Sequence, residues 1–69
     1  MIEDDARLFA RGLYRQKRHM AYDYALERAK HLLTSGDEEG NRVWHLVAGF
    51  IAEIEHKQQP LGRPAALAS

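Results

Sequence analysis

Apolar side chains recur at steps of three and four through most of this chain, with no sustained alternation. Ile2, Ala6, Phe9 and Leu13 form one set, and Tyr22, Ala25, Leu26, Ala29, Leu32 and Leu33 a second. Val43, Trp44, Val47, Phe50, Ile51 and Ile54 form a third. Steps of three and four gather side chains on one face of an α-helix, whereas a half-buried strand needs a step of two. Valine and isoleucine together number only five, so strand formers are scarce. The pattern predicts an all-α fold, a small three-helix bundle over residues 1–57 with helices at about 3–16, 21–34 and 38–57 and a flexible tail over 58–69.

The breaks between these helices are unequally marked. Ser35-Gly36-Asp37-Glu38 joins a glycine stop to an acidic start. Gly36 suits the left-handed position that closes a helix, and Asp37 suits the cap that accepts from the free N–H groups of the next one. The earlier break, somewhere in 16–20, has no such punctuation. It rests on phase: at about 100° per residue the first two apolar faces differ by roughly 170°, so one straight helix would bury opposite sides at its two ends. The rival is a continuous long helix that buries both faces in an oligomer. The third helix carries an apolar arc of roughly 160°, wider than the ~100° of a surface helix. That width makes it the central helix, with Trp44 and Phe50 as its large anchors; a buried Trp44 needs an acceptor for its indole N–H. Past Lys57, Pro60, Gly62 and Pro64 end helical order.

Composition narrows the class further. The 69 residues contain no cysteine, which excludes a disulfide scaffold and a cysteine-ligated zinc module. No apolar run approaches the roughly 18 residues of a membrane span. Glu3, Asp4 and Asp5 stand where a signal peptide carries cations. A cytoplasmic protein is expected. A core of this size rarely supplies more than about 3–5 kcal/mol, so well-packed helices or a partner chain must add to it. A structural homodimer is therefore one alternative. Ala48, Gly49 and Ala52, small residues on the back of the third helix, are the expected contact, with Leu46 and Trp44 beside them.

The stretch Tyr24-Ala25-x-Glu27-Arg28-Ala29, followed by Leu32 or Leu33, Gly36-Asp37-x-x-Gly40 and Val43-Trp44-x-x-Val47, is similar to a group of small bacterial helical proteins without an assigned activity. The resemblance covers Tyr24–Ile54, somewhat less than half the chain. It implies a short helical fold and a bacterial or phage origin, and it carries no functional residue onto any position.

Charge is the most informative feature for function. Ten Lys/Arg balance ten Asp/Glu, but residues 6–20 hold five of those cations and no acid. Arg7, Arg11, Arg15 and Arg18 are spaced four, four and three, so they share one side of the first helix, with Lys17 beside their far end. Such a row suits a solvated outer face, and equally an arginine ladder meeting carboxylates or phosphates. A helix-turn-helix reading fails, because the first turn of the third helix carries Asp37, Glu38 and Glu39, which phosphates would repel. Tyr14 near the row could stack on an unpaired base.

Other chemistry is thin. His19, His31, His45 and His56 show no His-x-x-x-His spacing, so no metal site is expected. There is no Gly-rich phosphate loop and no nucleophile motif, and a domain this small is expected to lack a ligand-sized pocket. The expected role is that of a non-catalytic protein without cofactor, a regulatory adaptor or inhibitor; the phage, anti-defence type enters by analogy with small bacterial and phage proteins that occupy a surface of a larger machine. The chain's contact face would be Arg7, Arg11, Arg15, Lys17 and Arg18, its partner an acidic protein surface, with nucleic acid as the alternative ligand.

Overall fold

The computed structural model describes residues 2–58. Three α-helical segments follow one another: α1 (Ile2–Lys17), α2 (Ala21–Thr34) and α3 (Glu38–Gln58). No strand occurs among the described residues, so the fold is all-α. The separation into three rods is less complete than the sequence pattern suggests. A 3₁₀ turn at Arg18–Met20 carries α1 into α2 without a non-helical residue, leaving two uninterrupted helical runs, 2–34 and 38–58. The physical reason is the missing punctuation: with no proline, glycine or capping side chain at 16–20, the junction is made by the backbone of a single 3₁₀ turn. Arg18 makes the bend by adopting φ 54°, and the Ala21 N–H donates to the Arg18 carbonyl. Of the tail expected over 58–69, Gln58 is the last residue of α3 and the remainder lies outside the described residues.

The α2–α3 connection is built from its own side chains and backbone. Gly36 takes φ 90°. The N–H of Asp37 donates to Leu32 O at 2.8 Å and that of Gly36 to Leu33 O at 3.1 Å. These two bonds are the Schellman closure, which satisfies the last carbonyls of α2. Asp37 Oδ1 then accepts from the Gly40 N–H at 2.9 Å, capping α3. Asn41 Nδ2 donates to Ala29 O at 2.7 Å and ties the two helices together one turn further on.

α3 packs against both α1 and α2, which touch each other little. Ile2, Asp5, Ala6 and Phe9 share one groove with Val43, Trp44 and Val47, and Arg11, Arg15 and Arg18 share another with Glu53, Ile54 and Lys57. α1 and α3 therefore run in the same direction, while α2 returns against α3. The core comprises Ala6, Ala10 and Leu13 from α1, Ala21 and Ala25 from α2, and Val47, Ala48, Phe50 and Ile51 from α3.

Three expectations change here. In α1 the buried trio is Ala6, Ala10 and Leu13, whereas Ile2 and Phe9 are exposed, Phe9 at 49%. At about 100° per residue this turns the core face by roughly 40° from the sequence-derived one. Phe9 packs edge-on against Trp44, ring centroids 5.3 Å apart. In α3, Ala48 is buried rather than on the back of the helix, because the small side chain faces the alanines of α2; Gly49 and Ala52 stay exposed. Trp44, expected as a buried anchor, is half-buried between Phe9 and Tyr24.

Candidate binding groove

The 40° rotation of α1 has a consequence for its arginines. Turning the core face toward Ala10 also turns the Arg7–Arg18 row toward α3. The row therefore forms one wall of a solvent-open groove of about 500 Å³ rather than a fully outward face. Arg7, Arg11, Tyr14, Arg15 and Arg18 line it from α1, and Phe50, Glu53, Ile54 and Lys57 from α3. The expectation that so small a chain has no ligand-sized hollow is thereby corrected. Parallel packing of two helices with alanine at the seam leaves a trough along their flank.

The groove holds five cations, Arg7, Arg11, Arg15, Arg18 and Lys57, against one carboxylate, Glu53. Arg7 meets that carboxylate, Nη1 to Oε1 at 3.7 Å, with both side chains more than half exposed. An exposed pair of this kind is worth about 0–1 kcal/mol. The Arg7 guanidinium also lies 4.2 Å from the centre of the Phe50 ring, a cation–π contact that holds it at one end of the groove. One of the four arginines is thus engaged internally. Phe50 itself is buried and forms the apolar floor, with half-buried Tyr14 beside it.

Lys17 does not join this set. Its position on the helix, one residue short of Arg18, carries it to the opposite flank, where its Nζ sits 4.5 Å from the centre of the Tyr24 ring. Lys57 takes the place that the sequence reading gave to Lys17. The signal for Lys57 was present, since Phe50, Ile54 and Lys57 are spaced four and three, but its use requires knowing that α1 and α3 are parallel.

The remaining candidates stay apart. Trp44, Gly36 and Asp37 shape the fold and lie outside the groove. His19, His31, His45 and His56 are all exposed, and among the described residues no three His, Asp or Glu side chains come together as metal ligands. His31 lies 3.9 Å from Glu27 one turn earlier. Among the described residues no helix is long and apolar enough to cross a membrane. Comparison with protein-family models, curated proteins and solved structures finds no match to the chain.

Proposed function

We propose that this chain is a small non-catalytic interaction module whose α1–α3 groove receives an acidic segment of a partner protein. The observation that carries the reading is the concentration of five cations against one carboxylate in a single groove of an otherwise charge-balanced chain. Guanidinium groups bind carboxylates in a planar, two-point manner. The Phe50 and Tyr14 floor suits the apolar stems that flank carboxylates in a protein segment. In this reading the three helical segments act as one bundle centred on α3, and the protein works in the cytoplasm as an adaptor or inhibitor that occupies a surface of a larger assembly.

The test is titration of fluorescent polyglutamate into the full chain and into Arg11→Gln/Arg15→Gln. Binding to the first and a loss of tenfold or more in the second is the expected result. Equal binding by both sinks the reading.

One observation favours a second ligand class. Tyr14 lines the cationic groove, and an aromatic ring beside a row of cations is how single-stranded nucleic acids are held. An oligonucleotide that binds with a steep salt dependence, and loses affinity on Tyr14→Ala, would favour this alternative.

A further inference from the structure

α1 and α3 run in the same direction, so their N-terminal turns lie at one end of the molecule. That end carries Glu3, Asp4 and Asp5 from α1, and Asp37, Glu38 and Glu39 from the start of α3. Arg11, Arg15, Arg18 and Lys57 gather toward the other end. Net neutrality therefore conceals a molecule with an acidic pole and a basic pole. The two poles share one stripe. Asp4, Leu8, Arg11 and Arg15 are spaced four, three and four, the step of a coiled-coil seam. All four are exposed, Leu8 at 62%. The stripe also reverses its own charge from end to end, so it is complementary to itself when a second copy is laid antiparallel.

We propose that a second copy of this chain docks antiparallel on the outer face of α1, pairing Asp4 of each copy with Arg15 of the other and so covering the basic wall of the groove. The proposal rests on the acidic-ligand reading above and adds its regulation: self-pairing and an acidic partner compete for Arg11 and Arg15. In this register Leu8 falls opposite the aliphatic stem of Arg11, which covers apolar surface while its head stays wet. The arrangement is a closed two-fold, the commonest symmetry of small oligomers. Each pair occurs twice, and reversing one charge therefore introduces two like-charge contacts.

The experiment is sedimentation equilibrium of the full chain at about 20 mM and about 1 M salt, across which the screening length falls several-fold. A dimer at low salt whose Kd rises tenfold or more at high salt is expected. Asp4→Lys alone and Arg15→Glu alone, each verified as folded by circular dichroism, should both be monomeric. Their equimolar mixture should dimerise again, because both cross-pairs are then opposite in sign. A low-salt monomer at about 1 mM overturns the proposal, as does a dimer that survives either reversal or a mixture that stays monomeric. Polyglutamate binding in the same samples separates the two ideas: a low-salt monomer that still binds polyglutamate removes self-pairing alone, and a monomer that does not bind it removes both. Should a reversed variant lose its fold, the neutral pair Asp4→Asn and Arg15→Gln replaces it, each expected to weaken the dimer severalfold and to flatten its salt dependence.

Discussion

Asp37 caps α3 through the backbone N–H of Gly40, and Gly40 is the residue whose missing side chain makes room for the cap. Asp37 Oδ1 accepts that N–H at 2.9 Å, while a Cβ on Gly40 would stand 2.6 Å from Asp37 Oδ2 and 3.0 Å from Leu32 Cδ1. Alanine normally gains about 1 kcal/mol over glycine inside a helix. Here Gly40→Ala is expected to lose about 1 kcal/mol, since it displaces a capping carboxylate of about that worth and presses on Leu32. In an Asp37→Ala background the same change should turn neutral or stabilising. Urea denaturation of the four proteins in this double-mutant cycle gives the coupling directly; additive effects would show that the two residues act independently.

Gly12 supplies the opposite case in the neighbouring helix. It lies inside α1, and nothing stands within 4 Å of its would-be Cβ. No close approach or turn requires it, so only its backbone freedom is lost on folding. Gly12→Ala should raise stability by about 1 kcal/mol, a shift of several degrees in Tm for a domain of this size. Thermal unfolding at high salt, where pairing between copies is screened, is the appropriate measurement. An unchanged or lower Tm would mean that α1 strains or frays in a way the structure does not display.

The seam between α2 and α3 is made of small side chains, and this fixes its tolerance. Ala21, Ala25 and Ala29 of α2 are all buried, as is Ala48 of α3. Adding methylenes to a filled interior forces neighbours off their rotamers at a cost of about 1–3 kcal/mol. Ala48→Leu is expected to destabilise within that range, whereas Ala52→Leu, on the exposed side of the same helix, should stay within about 0.5 kcal/mol. Equal effects at the two positions would contradict the placement of Ala48 against α2.

These alanines also show how far the sequence could be read. The helix spans and the Gly36-Asp37 junction were legible because periodicity and capping act locally. The width of the apolar arc in α3 likewise identified it as the central helix. Which apolar residues face inward was less legible. A pattern count favours large side chains such as Ile2 and Phe9, but the α1 residues that join the core are Ala6, Ala10 and Leu13. From that choice the rest follows: the face rotates, the arginine row swings toward α3, and Phe50, Glu53 and Lys57 become its companions across the groove. The row was visible as spacing in one helix; the groove was not, because its second wall depends on the relative direction of two helices separated by an intervening one. The bend at 18–20 was located by phase alone, and its use of an arginine at positive φ left no mark in the sequence.

Arg18 joins fold to function most directly. Its φ of 54° places an L-residue in the left-handed region at a cost of about 1–2 kcal/mol, where glycine would sit without strain. Strained residues concentrate at working sites, and Arg18 projects into the basic groove. Arg18→Gly should therefore stabilise the fold by about 1 kcal/mol, the strain relieved less the extra freedom that glycine gives the unfolded chain. The same change should weaken polyglutamate binding severalfold. Arg18→Ala removes the same charge but keeps the left-handed backbone, so it should lose the binding without gaining the stability. Chemical denaturation and titration of both variants distinguish the two contributions. If Arg18→Gly and Arg18→Ala were equally stable, the backbone at the bend would not be strained; if neither lost affinity, the cationic end of the groove would have no part in holding the ligand.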